Sequence, residues 1–400
     1  MRKYVFLIAL LFLYPEGCGK KSEIGKPLEQ YRIPGFVYGA NERFVTGVLA
    51  RIKQAKTLLA KQEVGFSTTS SGLRIPNVLL AVSSLSSGLF SPIEFVLVTS
   101  DGRSLTQGYS VVKEGDSGVG SPYRVERTNS TAGDELAVLA IKTALKQSGR
   151  YKEVVYTPYH KMLDSQEVRH AGYSYLARVA IAAADDLRRH QVVSQAIPKS
   201  PVADVFTPEL PIMLAIIEHV SPLEFEQLAR RIKRCEFALV NGRLQEFSRE
   251  EAETEAIKRL ARKVLVVVGA NQETAYDYSE SNMGARGLKQ MIESTYASVI
   301  KLYPEAELPK AFEQAMTSHI TAFKASYLLL DADLLQAKKA GIDIDDQNVG
   351  LFLAATYNGG SGRAVAALSS DRGWLDGLWP ETRIYVREYA ALSAAFEESP

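Results

Sequence analysis

The stretch PIMLAIIEHVSP, residues 211–222, is apolar until it reaches Glu218 and His219. A carboxylate beside Ile216 and Ile217 loses solvation unless it is paired, protonated or working, which is the profile of a general acid. Upstream, Thr207 followed by Pro208 reads as a helix start, with Thr as the cap and Pro in the first turn, and Pro222 reads as the stop. Glu218 is therefore expected at the end of a helix, where a side chain can face a cleft.

Around that helix the chain is long and apolar enough for two ordinary cores, with 400 residues and 46% hydrophobic content. Its net charge of +1, from 47 basic and 46 acidic side chains, argues against nucleic acid as a partner. The first residues differ from the rest. MRK, the short apolar run VFLIALLFLY and Gly17-Cys18 read as a secretory signal over residues 1–18, too short to span a bilayer. A Cys after a small residue at the end of such a core resembles a bacterial lipoprotein signal, which implies lipidation of Cys18 and a membrane tether. Ordinary cleavage and an uncleaved anchor are the alternatives. Residues 19–30 read as a polar tether. The second cysteine, Cys235, lies among charged residues on an expected helix and reads as an inert small side chain.

The expected fold class is α+β, with a mixed N-terminal domain over residues 31–200 and a mainly helical domain over 201–400. In the first, residues 41–62 have helical spacing, and IEFVLVTSDGRSLTQGYSVV, residues 93–112, reads as two strands hairpinned around Asp101-Gly102. TAGDELAVLAIKTALKQSGR (131–150) reads as a helix capped by Thr131, and AGYSYLARVAIAAADDLRRH (171–190) as another. From Thr207 onward the segments 221–239, 248–268, 323–340 and 349–356 all read as helices. VLVVVGANQE (264–273) fits a helix end or a short buried strand, and its period alone does not decide.

Downstream of Glu218 come three unusual segments: YSESNMGARGLKQM (278–291), AATYNGGSGRA (354–364) and ETRIYVREY (381–389). Gly284 and Gly287 permit backbone shapes and close ligand approach that larger residues block. Tyr357 and Asn358 end an apolar helix, and Glu381, Thr382, Tyr385 and Tyr389 share one side of another. In this order the pieces resemble the lysozyme-like lytic transglycosylases that cleave bacterial peptidoglycan. That family has a glutamate ending an apolar helix, then Gly-Ala-Arg-Gly-Leu-x-Gln, Ala-Tyr-Asn and Glu-Thr-x-x-Tyr-Val, and the resemblance covers nearly half the chain.

The resemblance implies a lysozyme-like fold for residues 201–400, with a helical insertion at about 221–268. It implies that Glu218 protonates the glycosidic oxygen between N-acetylmuramic acid and N-acetylglucosamine, then acts as base on the sugar's own 6-hydroxyl. The product would be an anhydromuramic end, formed without water or a cofactor. Because the attacking oxygen is tethered to the substrate, one carboxylate suffices. Gly287, Leu288, Gln290, Tyr357, Asn358 and Tyr385 would line the glycan site. His219 stands where the family has serine and is a neighbouring-group candidate. Glu273, after VLVVV and before Thr274, is a rival for the acid or a second acidic group.

His160, His170, His190, His219 and His319 show no HExxH or other ligand spacing, so no metal is expected. Two other readings stay open. A hydrolytic muramidase would use a second acid such as Glu273 to direct water, and a non-catalytic peptidoglycan-binding or assembly protein would depend on neither glutamate. The expected setting is the cell envelope, with peptidoglycan strands as the partner and residues 31–200 available to a second envelope protein.

Overall fold

The computed structural model describes residues 33–38, 47–69, 71–86, 88–113, 123–129, 135–147, 150–240, 243–342, 344, 348–369 and 373–398. The expected signal, the tether, Cys18 and the Thr131 cap lie outside them. The chain is mixed, with a sheet in its N-terminal half and a helical C-terminal half. In chain order it forms α1 (Val48–Ala60), β1 (Phe66–Thr68), β2 (Arg74–Pro76), β3 (Val78–Ser83), β4 (Leu85–Ser86), β5 (Leu89–Phe90) and β6 (Glu94–Val98). Next come β7 (Tyr109–Lys113), β8 (Tyr123–Arg127), β9 (Glu135–Gln147), β10 (Arg150–Tyr156), α2 (Gln166–Arg189), α3 (Val202–Val205), α4 (Glu209–Ile217) and α5 (Pro222–Cys235). A hairpin of β11 (Phe237–Val240) and β12 (Arg243–Glu246) precedes α6 (Arg249–Asn271), α7 (Glu293–Leu302), α8 (Phe312–Thr317) and α9 (His319–Lys339). The chain closes with α10 (Val349–Gly359), α11 (Ser361–Leu368) and α12 (Pro380–Glu397).

These elements sort into two compact units. One comprises Phe36–Leu176 and Ala261–Gln290, the other chiefly Ala177–Leu260 and Met291–Pro400. Where consecutive domains at 31–200 and 201–400 were expected, each unit takes more than one stretch of the chain: two boundaries fall inside long helices, α2 and α6, and a third at Gln290/Met291. The 221–268 segment is likewise more than helical: α5 stops at Cys235, and β11 and β12 pair where the helix was expected to continue.

In the sheet unit, antiparallel strands run in the order β6-β3-β9-β8-β7, with β10 also paired to β9. β9 corrects the helix expected at 131–150. Leu136, Val138 and Ile141 enter a core with β3 and β6, while Ala137, Leu139 and Ala140 enter a second core with Val48, Ile52, Ala55 and Leu59 of α1. A strand covered on both faces reads as a continuous apolar run. The register shift at Ala81/Val82 skips Leu139, so Leu139 and Ala140 share a face and the two-residue period is lost. The expected 93–112 hairpin is corrected too: β6 and β7 form, but at opposite ends of the strand order. Asp101-Gly102 makes a local turn, with Gly102 at φ 93° donating to the Thr99 carbonyl at 2.9 Å.

VLVVVGANQE resolves as the C-terminal end of α6 and the turn after it. This part of α6 meets α2 backbone to backbone: a Cβ on Gly269 would lie 2.0 Å from the Val168 carbonyl oxygen, and one on Gly172 2.1 Å from that of Leu265. Only glycine fits either position. Asn271 ends α6 by donating to the Thr157 carbonyl and accepting from the Thr157 N–H, each at 2.8 Å.

In the helical unit, α9 runs through the interior against α4, α7, α8, α10 and α11. It carries polar groups inward, among them Asp331, which accepts from Ser194 Oγ, from the Gln195 N–H at 2.7 Å and from Tyr303 Oη at 2.7 Å. Among the described residues no helix is long and apolar enough to cross a membrane.

Candidate active site

Three helix segments of the helical unit converge on Glu218. Helix α4 is buried from Leu210 to Ile217, and Glu218 follows as its half-buried C-terminal cap residue, its N–H donating to the Leu214 carbonyl at 3.0 Å. The first turns of α12 bring Tyr385, 4% exposed, whose hydroxyl donates to Glu218 Oε1 at 2.7 Å. The C-terminal turn of α10 brings Tyr357 and Asn358, and Thr382 Oγ1 of α12 donates to Asn358 Oδ1 at 2.9 Å. Gly359 permits that approach, since a Cβ there would lie 2.8 Å from Thr382 Oγ1. Asn358 is exposed, so with its oxygen engaged its amide N–H groups face solvent.

The electrostatics tie the same residues together. Burial first, and the Glu218 carboxylate second, hold both the Tyr385 and the Tyr357 hydroxyl well above the ordinary phenol value. Both therefore remain neutral donors beside the glutamate. Asp333 of α9, behind α10, is pushed up to about 7 by burial, while the Thr356 and Ser361 hydroxyls pull it down.

The segment 221–268 supports α12. Arg387 pairs with Glu226 of α5 at 3.2 Å and Glu253 of α6 at 2.6 Å, and its guanidinium lies 5.9 Å from the buried Phe225 ring. A bidentate clamp from two helices fixes the turn that follows Tyr385.

The other expected site residues belong to the sheet unit. Gly287, at φ 70°, and Gln290, at φ 44°, shape a tight loop in which Gln290 Nε2 donates to Ser279 Oγ at 3.1 Å and to the Gly287 carbonyl at 2.8 Å. Those bonds leave the Gln290 carbonyl oxygen for a ligand. Leu288 and Lys289 are wholly buried, so the Leu288 side chain packs within the protein beneath the loop. Glu273 is exposed in a short turn, Gln272–Thr274, and lies in a different unit from Glu218. His219 follows Glu218 half-buried, its N–H on the Ile216 carbonyl at 3.2 Å. Cys235 is exposed at the end of α5.

Sequence reasoning missed Glu388. It is completely buried on α12, three residues after Tyr385, and neither of its oxygens has a hydrogen-bond partner. The signal was present: in ETRIYVREY a glutamate three positions beyond Tyr385 falls on the inward face. Compared with protein families, curated proteins and solved structures, the chain gives no significant match.

Proposed function

We propose that the chain is an exported, peptidoglycan-cleaving lytic transglycosylase of the cell envelope, on a lysozyme-like helical unit, with Glu218 as acid and then base. One observation carries the reading: Tyr385 Oη lies 2.7 Å from Glu218 Oε1, so two of the four sequence segments, 167 positions apart, meet in one hydrogen bond. The Thr382–Asn358 bond draws in a third. Such an arrangement orients one carboxyl group and surrounds it with neutral donors, which suits an acid that must both give and recover a proton.

In this reading Glu218 gives its proton to the departing glycosidic oxygen, and the glycosidic bond breaks. The resulting carboxylate takes the proton of the muramic 6-hydroxyl as that oxygen bonds to C1. Tyr385 donates to Glu218 while it is charged, and Asn358 offers its amide N–H groups to sugar oxygens. In this reading no second carboxylate has to direct water. The test is digestion of purified sacculi with mass spectrometry of the released muropeptides. Anhydromuropeptides support the reading, and reducing ends would make the protein a hydrolase instead.

A further inference from the structure

We propose that Glu388 is a positioning residue that forms a coupled carboxyl pair with Glu218, keeping its own proton in the interior so that Glu218 alone gives up and recovers one. The proposal rests on the assignment of Glu218 as the working acid, and its argument begins with burial. Glu388 has no solvent exposure and no hydrogen-bond partner on either oxygen, a setting in which a carboxylate is strongly disfavoured and the neutral acid is not.

The surrounding charges leave no cation for it. Arg387, next in the chain, spends its guanidinium on Glu226 and Glu253. The groups that act on Glu388 are Glu218 from the end of α4, Glu226 from α5 and, on α12 itself, Tyr385 and Arg387. Burial comes first in raising its carboxyl to about 9, the Glu218 carboxylate second, Arg387 opposes, and Glu226 adds to the rise. Tyr385, three residues before Glu388 on α12, feels both glutamates, and its hydroxyl donates to Glu218.

Coupling of this kind is reciprocal: a charge on Glu218 keeps the proton on Glu388, and a charge on Glu388 would keep a proton on Glu218. Through the cycle the proton stays on Glu388, and Glu218 is the member that changes charge. A neutral Glu388 leaves Glu218 free to ionise and act as base. An ionised one would set a second negative charge behind it and hold it protonated, so the proton-giving half of the cycle would fail.

The test is infrared titration of the intact folded protein in deuterated buffer, following the carbonyl stretch of protonated carboxyl groups between pH 6 and 10, and it needs no glycan cleavage. The parent should keep such a band at pH 8, where exposed carboxyl groups have ionised, and lose it near pH 9. Glu388→Gln should remove that band. Glu218→Gln should lower the pH at which it disappears by about one unit or more, because the like charge is gone. The last result is one that a merely structural Glu388 would not give, and it is read with Glu388 in place even if Glu388→Gln fails to fold. Absence of the band from the parent at pH 8, or a titration that Glu218→Gln leaves unmoved, would overturn the proposal. Intact sacculi alongside a moving titration would count against the transglycosylase reading and not against the pair.

Discussion

Replacing Tyr385 with Phe deletes one oxygen and isolates the contact on which the site is built. The ring is 4% exposed and Phe refills its volume, so the core of α12 against α4 and α10 is kept. What is lost is the 2.7 Å bond from Oη to Glu218 Oε1. A hydrogen bond to a charged group contributes about 1.5–3 kcal/mol. Glu218 is half-buried, so in the resting protein water replaces much of that bond and the folded state should lose no more than roughly 1 kcal/mol. During turnover a glycan strand covers the carboxyl group and water no longer substitutes, so the full amount falls on the barrier. Converted through the rate expression, this is about a 10- to 150-fold loss in kcat. The assay is the initial rate of anhydromuropeptide release, beside a thermal melt of the same preparation. A Tyr385→Phe variant that digests sacculi at the parental rate would refute the reasoning. So would one whose rate loss matches a comparable loss of stability.

Two further outcomes follow from the same contacts. With Glu388 raised from an ordinary 4.5 to about 9, the native state keeps a proton that the unfolded state gives up. Stability is therefore full below about pH 4.5 and falls as pH rises toward 9, by up to ~1.4 kcal/mol per unit. Denaturant titrations should show that slope reduced in Glu388→Gln, and equal slopes in the two proteins would contradict the assignment. Gly269→Ala sets two effects against each other: the helix gains about 1 kcal/mol from alanine, but the new Cβ falls 2.0 Å from the Val168 carbonyl oxygen. Backbone has to move, at a cost of about 1–3 kcal/mol or more, so urea unfolding should show net destabilisation. A neutral or stabilised variant would mean that the helices separate easily there.

The helix ending in Glu218 was legible because its residues bury on every side, although Pro222, read as its stop, instead opens α5 behind the Ser221 cap. α2, α9 and α12 were legible from their spacing. β9 was not. Ala and Leu favour helix when nothing else is known, and the skipped Leu139 erased the alternation that would have revealed a strand. The 93–112 strands were visible but their partners were not, since pairing across the sheet depends on residues far away in the chain. The ordered segments around Glu218, Tyr357, Asn358 and Tyr385 marked a site that folding brings together. Glu388 passed unnoticed because a glutamate after an arginine reads as solvated surface until Arg387 is seen bound by Glu226 and Glu253. Leu288 was read as a sugar contact from its place in a motif, and its side chain is wholly buried behind the Gly287 turn.

The most direct measurement is digestion of sacculi by the chain without residues 1–20, beside Glu218→Gln and Glu273→Gln, with mass spectrometry of the products. The account predicts anhydromuropeptides from the parent and from Glu273→Gln, and a loss of at least about 100-fold in Glu218→Gln, within the range seen when a positioned general acid is removed. Anhydromuropeptides that persist in Glu218→Gln and vanish in Glu273→Gln would contradict it, and would move the chemistry to the other unit.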